Sequence, residues 1–372
     1  MYTLFRCYIF SNMREVDGGR DAIDVVNLCS ELVLLPSVTD GEHELSPLIY
    51  LEKLFQKYRV SYEVITGSEK KKSIVATIGS GEPSVMLNSH FDVVPVPSPS
   101  LFHPRIEGSR LYGRGSADAK GPLSAMFTSF LSFRDEEIKG KIVLCAVCDE
   151  ENAGTFGTKV VAERGIRATY NIFGEPTDFE VIIAEKGFLR LSISCTGKEA
   201  HAAFPDNGIN AIRLASNIIQ DIEEMSWNVP HQLLSPPTIS YGTIDGGSKI
   251  NVVAGKCKLT IDMRYLPGQD ETELVEMFSQ LAQRQGDCVV EVISSGPPME
   301  TSVDSPLVTV AAQVTKRVPR GVNFATDARF FQESDCIVLG PGKPELAHQE
   351  EEYIEISDLE KAVVVYRTMI QK

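Results

Sequence analysis

Five short segments of this chain carry residues able to hold a cation or move a proton. They are Ser89-His90-Phe91-Asp92, Asp118 within Gly113-Arg114-Gly115-Ser116-Ala117-Asp118-Ala119-Lys120-Gly121, Asp149-Glu150-Glu151, Glu175 in Gly174-Glu175-Pro176-Thr177, and His348 after Gly340-Pro341-Gly342. Imidazole together with carboxylate is the donor set of a hydrolytic zinc or cobalt site, often one with two metals. The adjacent glutamates suggest one ligand and one general base. Each residue also has a plainer reading. His90 suits a partly buried histidine with a hydrogen-bonding neighbour, Asp118 a cap for a helix beginning near Pro122, and Glu150-Glu151 an acidic loop. Glu175 suits an ordinary turn acid and His348 an exposed loop residue. If the strand before His90 continues through Asp92, both side chains share one face and the acid orients the imidazole.

The elements that must position these groups alternate between strand and helix. Apolar spacing predicts helices over 24–35 and 48–58, strands over 73–78 and 84–88, and a helix over 122–133. Residues 141–148 form an almost continuous apolar run, the pattern of a central strand covered on both faces. A helix over 158–164 and a strand over 170–173 follow. This alternation predicts an α/β layer with a mostly parallel central sheet flanked by helices. The candidate ligands then fall at carboxyl ends of strands, where open α/β sheets bind ligands. After about residue 180 the order becomes β-α-β-β-α-β, over 188–195, 210–225, 238–244, 256–263, 272–285 and 288–294. That is the ferredoxin-like α+β arrangement. The expected division is therefore a discontinuous catalytic domain, 14–179 and 297–372, interrupted by an inserted domain, 180–296. A helix from Pro306, a strand over 336–339 and a last helix close the chain, with Ser357 and Glu360 spaced as a capping box.

A length of 372 residues suits two domains. The net charge of −15 argues against a nucleic-acid partner, which calls for a basic face. No apolar run of about 18 residues exists, so no membrane partner is expected, and the balance fits a cytoplasmic enzyme. The cysteines are dispersed through apolar runs and read as reduced and buried. Cys145-Ala146-Val147-Cys148 has no second CxxC and reads as strand rather than as a redox or zinc motif. The mildly apolar residues 1–10 lack a convincing cleavage site, and Met13 could equally be the true start.

Singly these motifs are weak, but their order and flanks resemble one family. His90-Phe91-Asp92-Val93-Val94-Pro95, the Gly113 to Gly121 segment, Asp149-Glu150-Glu151, Gly174-Glu175-Pro176-Thr177 and Gly340-Pro341-Gly342 with Ala347-His348 resemble the acetylornithine deacetylase and succinyl-diaminopimelate desuccinylase family of co-catalytic metallohydrolases. Aminoacylases and carboxypeptidases belong to it too. The resemblance implies that His90, Asp118 and Glu175 bind one metal and that Asp118, Glu151 and His348 bind the other. It makes Glu150 the general base and Asp92 the residue that orients His90. The metals would be two divalent ions, zinc first, with cobalt or manganese also suitable.

Further matches lie in the insert. Gly197-Lys198-Glu199-Ala200-His201 resembles the segment whose histidine stabilises the oxyanion. In dimeric members that histidine comes from the other subunit, so a homodimer through a dimerisation and lid domain is implied. Asn251 would hydrogen-bond substrate and Arg264 would hold its α-carboxylate; an ion pair with Asp262 is the other reading of Arg264. Arg329, in Thr326-Asp327-Ala328-Arg329-Phe330, is expected to favour a second substrate carboxylate such as succinyl. Lys186 could add a further charge near the substrate. The implied reaction is hydrolysis of an N-acyl-L-amino acid, of acetylornithine deacetylase or desuccinylase type. Aminoacylase, dipeptidase and carboxypeptidase activities stay open. A catalytically inactive binding protein on this fold would lack a ligand or the base, and a single-metal hydrolase would give Glu175 no role.

Overall fold

The computed structural model describes residues 23–372, so the readings of residues 1–13 lie outside it. In chain order the strands are β1 (Tyr62–Thr66), β2 (Lys72–Ser80), β3 (Ser84–His90), β4 (Arg105–Glu107), β5 (Arg110–Tyr112), β6 (Gly140–Val147), β7 (Tyr170–Phe173) and β8 (Ile182–Glu185). They continue with β9 (Gly187–Thr196), β10 (Thr238–Gly246), β11 (Lys256–Tyr265), β12 (Cys288–Gly296), β13 (Met299–Glu300), β14 (Arg320–Val322), β15 (Asp335–Val338) and β16 (Tyr353–Glu355).

The apolar run of β6 explains the centre of the molecule. Ile142, Leu144 and Ala146 enter one apolar cluster, while Val143, Cys145 and Val147 enter another. Successive side chains point to opposite faces, so a strand covered on both sides needs apolar residues throughout. Helices Val25–Leu34, Lys120–Leu131 and Ile356–Gln371 cover one face. Helix Thr158–Glu163 and the 3-10 turn Asp327–Phe331 contribute to the other. Cys145 and Cys148 fall in different clusters, and burial pushes both thiols up, so the CxxC spacing marks packing.

The large sheet has nine strands, ordered β1-β2-β6-β3-β7-β15-β8-β13, with β14 paired to β8. Its middle is parallel: β3 pairs with β6 and β7, and β7 with β15. Antiparallel pairs flank that middle. Parallel strands end on the same edge. His90 lies opposite Val147 and Asn88 opposite Phe173, so His90, Glu150-Glu151 and Glu175 leave the sheet side by side.

The second sheet is β10-β11-β9-β12, all antiparallel. Helices Ala211–Glu224 and Glu271–Gln285 share one apolar cluster with one of its faces. β8 and β13 belong to the large sheet, so the chain enters the small sheet after Glu185 rather than at 180. A third sheet, β16-β5-β4, joins two distant loops and had no clear signal, because its strands are three residues long.

The capping box is not formed. β16 runs straight into the last helix, Glu355 takes the cap position without a side-chain bond, and Ser357 lies inside the first turn. The Ile356 amide instead donates to Ser109 O at 2.8 Å, tying the helix start to the third sheet.

Leu144 is fully buried in β6. Leu144→Ala is expected to lower unfolding stability by about 2–5 kcal/mol in urea titration. A loss below about 1 kcal/mol would mean the doubly covered strand is not tightly packed.

Candidate active site

His90 ends β3, and its Nδ1 lies 2.9 Å from the Asp92 backbone oxygen. That bond aims Nε2 at Asp118 Oδ1 (3.2 Å) and Glu175 Oε2 (3.6 Å). Because the strand stops at His90, Asp92 does not sit on it as expected. The chain turns, and the Asp92 carboxylate becomes a hub. It accepts from Thr39 Oγ1 (2.6 Å) and from the backbone amides of Glu150 and Glu151 (3.2 Å each), with His90 Nδ1 at 3.5 Å. Burial alone would raise Asp92, but His90 and these donors hold it below the usual carboxylate range.

Asp118 is not a helix cap: that position is Ala119, without a side-chain bond. Its Oδ1 faces His90, and its Oδ2 lies 3.4 Å from His348 Nε2. Glu151 Oε2 is 3.1 Å from the same nitrogen, while Glu151 Oε1 is buried with no hydrogen-bond partner among the described residues. Two donor groups result, His90-Asp118-Glu175 and Asp118-Glu151-His348, each with its ligand atoms within 4.8 Å of one another. They share Asp118. Glu150 belongs to neither, with Oε2 4.0 Å from His90 Nε2.

The electrostatics call for added positive charge. Burial, then the neighbouring Glu175, push Glu150 well above its usual range, and burial drives Glu175 up to about 7. Hydrogen bonds to Asp118 and Glu151 raise His348 to about 10. Burial opposes protonation of His90, but Glu175 and Asp118 prevail and raise it. Carboxylates this close cannot all stay charged without protons or cations among them. Oxygen and imidazole donors, a shared carboxylate and an orphaned glutamate oxygen fit a pair of divalent cations.

Buried ion pairs with no motif in the sequence hold these loops. Arg114 Nη1 meets Glu352 Oε2 at 2.6 Å, with both side chains buried. Glu352 Oε1 accepts from the amides of Ala117 and Asp118 at 3.0 Å each, and Arg114 Nη2 donates to His348 O at 3.2 Å. One pair thus positions both residues that close the second donor group. The third sheet makes it possible, since β5 leads into Arg114 and β16 follows Glu352. Lys71 is likewise buried among Asp40 (2.9 Å), Glu44 (2.9 Å) and Asp149 (3.0 Å), next to Glu150. Glu350-Glu351-Glu352 and Lys70-Lys71-Lys72 are runs of like residues, so composition could not single out the buried member.

A cleft of about 660 Å³ is lined by Asp118, Glu150, Glu151, Glu175 and His348, and also by Phe188, Arg190, Arg264 and Arg329. Arg264 lines it and also forms the expected ion pair with Asp262, Nε to Oδ1 at 2.7 Å. Arg329 is buried there, but Nη1 donates to Thr326 O and Nη2 to Ala153 O, each at 2.6 Å. Lys186 is absent from the lining and donates to Ser235 Oγ (3.0 Å) and Pro236 O (2.6 Å). His201 and Asn251 are exposed and outside this cleft. They stand together, joined by the His201–Val252 bridge and by the Ala202 amide donating to Asn251 O at 3.0 Å. Arg190, which does line the cleft, had no sequence signal.

The profile of Peptidase family M20/M25/M40 matches residues 86–372. An acetylornithine deacetylase of Myxococcus xanthus is 30% identical over 304 residues, 77% of this chain and 79% of that protein. Another, from Edwardsiella ictaluri, is 31% identical over 318 residues, 80% and 82% of the two chains. A Staphylococcus aureus tripeptidase structure superposes with a TM-score of 0.76 at 21% identity, covering 95% of this chain and 100% of that one. A Bacillus subtilis structure described as a dinuclear metal binding peptidase of family M20 has a TM-score of 0.71 at 13% identity, covering 93% and 96%.

Glu352→Ala leaves Arg114 buried without its partner and two amides without an acceptor. It is expected to weaken zinc affinity about 10–100-fold in competition with a chelator, and to destabilise the protein by about 3–5 kcal/mol. Unchanged zinc affinity would show that Asp118 and His348 do not depend on this pair.

Proposed function

This chain belongs to peptidase family M20/M25/M40, and from that premise we propose that it releases the amine from an N-acyl-L-amino acid, with N-acetyl-L-ornithine the first candidate substrate. The observation that carries this reading is the pair of donor groups sharing Asp118, with Glu150 beside them and guanidinium groups in the same cleft. Similarity to the acetylornithine deacetylases of Myxococcus xanthus and Edwardsiella ictaluri supports an acetyl rather than a succinyl substrate for this chain.

His90, Asp118 and Glu175 would hold one divalent cation, and Asp118, Glu151 and His348 the other. Zinc is the first choice, with cobalt or manganese suited to the same donors. When bound, such ions polarise the amide carbonyl and acidify water. Glu150 is left free to take a proton from the attacking water and to deliver it to the departing nitrogen. Asp92 keeps this base in place, because it holds the backbone of Glu150 and Glu151 as well as His90. Arg264 takes the α-carboxylate of the amino acid.

His201 and Asn251 would serve a neighbouring subunit, His201 donating to the developing oxyanion and Asn251 to the substrate. A homodimer through the insert, nominally 180–296, is part of this reading, as is a catalytic unit made from 14–179 and 297–372. Exposure of His201 and Asn251, with Phe204 and Ile250 exposed nearby in sequence, supports it. No helix among the described residues is long and apolar enough to cross a membrane. A small metabolite as substrate agrees with a cytoplasmic reaction.

The test is turnover of N-acetyl-L-ornithine, N-succinyl-L,L-diaminopimelate, N-acetyl-L-methionine and a dipeptide panel by zinc- or cobalt-loaded protein. Acetylornithine is expected to lead. Glu150→Ala should reduce the rate about a hundredfold to ten-thousandfold while metal content is retained. A leading succinyl substrate or peptide would replace the deacetylase reading, and two bound metals without turnover of any substrate would refute it.

A further inference from the structure

β9 and β11 place a square of four side chains on the small sheet. Phe188 stands opposite Arg264, and Arg190 opposite Asp262. Strand side chains alternate between faces. Leu189, Leu191, Ile261 and Met263 point into the helix-covered cluster, so the square lies on the other face. Phe188, Arg190 and Arg264 line the cleft that also contains Glu150 and His348.

Asp262 is divided between the two arginines. Its Oδ2 accepts from Arg190 Nε at 2.9 Å and from Arg264 Nη2 at 3.4 Å, and its Oδ1 accepts from Arg264 Nε at 2.7 Å. Both guanidinium carbons lie over the buried Phe188 ring, at 5.0 and 5.7 Å, which restricts where they can move. Arg264 paired with Asp262 alone would be neutral and would attract an anion weakly. Arg190 restores one positive charge. The bonds made to it by protein groups among the described residues stop at Nε, so both terminal nitrogens remain to donate. Arg329 differs, since backbone oxygens take both of its terminal nitrogens.

We propose that one substrate carboxylate completes this square, held jointly by Arg190 and Arg264, with Asp262 keeping the two guanidiniums together. Two cations then face two anions around a closed ring. The proposal rests on the deacylase reading and extends it. Arg190 becomes a substrate-binding residue, and Arg329 becomes a loop brace. The ring balances with a single carboxylate, so it serves an amino acid with a free α-carboxylate and offers nothing to a second one on the acyl group.

The experiment is calorimetric binding of N-acetyl-L-ornithine and of its α-carboxamide to zinc-loaded protein carrying Glu150→Ala, which blocks turnover. The parent is expected to prefer the carboxylate about tenfold to a hundredfold. Arg190→Gln and Arg264→Gln should each bring that preference close to one, with little further loss in the double variant, at unchanged zinc content and melting midpoint. If Arg190→Gln lowers the midpoint, Arg190→Lys keeps the charge without the fork and should show a partial loss. Full preference in the Arg190 variants overturns the proposal, as does a parent that binds neither ligand or does not distinguish them. A carboxylate preference that disappears with Arg190, in a protein whose Glu150-containing form hydrolyses no N-acyl amino acid, would sustain the clamp and defeat the deacylase reading.

Discussion

Repulsion among buried acids is the constraint on which the site is built. The parallel edge of the large sheet brings Glu150, Glu151 and Glu175 beside Asp92 and Asp118, and Asp149 and Asp327 are buried close behind. Such a cluster persists only with compensating charge or directed hydrogen bonds. The fold supplies these one layer out. Lys71 meets Asp149, Arg114 meets Glu352, Arg329 lies 3.7 Å from Asp327, and backbone amides satisfy Asp92. The inner acids Asp118, Glu151 and Glu175 have only His90 and His348 as basic partners among the described residues. The outer cations fix the loops, and the centre keeps its excess of negative charge for cations taken from solution.

The same chain segment couples this acidic edge to the basic face of the small sheet. β8 ends at Glu185 and β9 begins at Gly187, with Lys186 alone between them. A side chain at Gly187 would place its Cβ 2.6 Å from Tyr265 Cζ, so the crossing needs glycine to pass that close. Glu185 Oε2 accepts from the Thr326 amide at 3.0 Å, holding the turn that carries Asp327 and Arg329. Phe188 and Arg190 follow within a few residues of that anchor. A short, buried link thus sets the distance between the groups that would move a proton and those that would hold a carboxylate.

Much of this arrangement is legible in the sequence. The almost continuous apolar run of β6 marks a doubly covered strand, and the β-α-β-β-α-β order marks the small antiparallel sheet, because burial pattern and periodicity are local properties. All five expected metal-site residues, His90, Asp118, Glu151, Glu175 and His348, come together with Glu150 beside them. The hidden parts are those that depend on contacts distant in sequence. Three-residue strands such as β4 and β16 have no periodicity to detect, yet they bring Arg114 to Glu352 across more than two hundred residues. Asp92, by its two-residue spacing, shares a face with His90 only if the strand runs through both. Its bonds to Thr39, Glu150 and Glu151 arise because the strand stops one residue after Ser89, at His90.

Arg190 shows the limit most clearly. Asp262 and Arg264 sit two apart in one strand, so their shared face follows from period alone. Arg190 joins them through the antiparallel register of β9 on β11, and a slip of one residue would turn its side chain toward the helices. That register is set by the alternating apolar residues of both strands packing against Ala211–Glu224 and Glu271–Gln285. The apolar face therefore determines which polar residues meet on the opposite face. In the small sheet, the packing of Leu191 and Ile261 on one side decides that Arg190 and Asp262 stand together on the other.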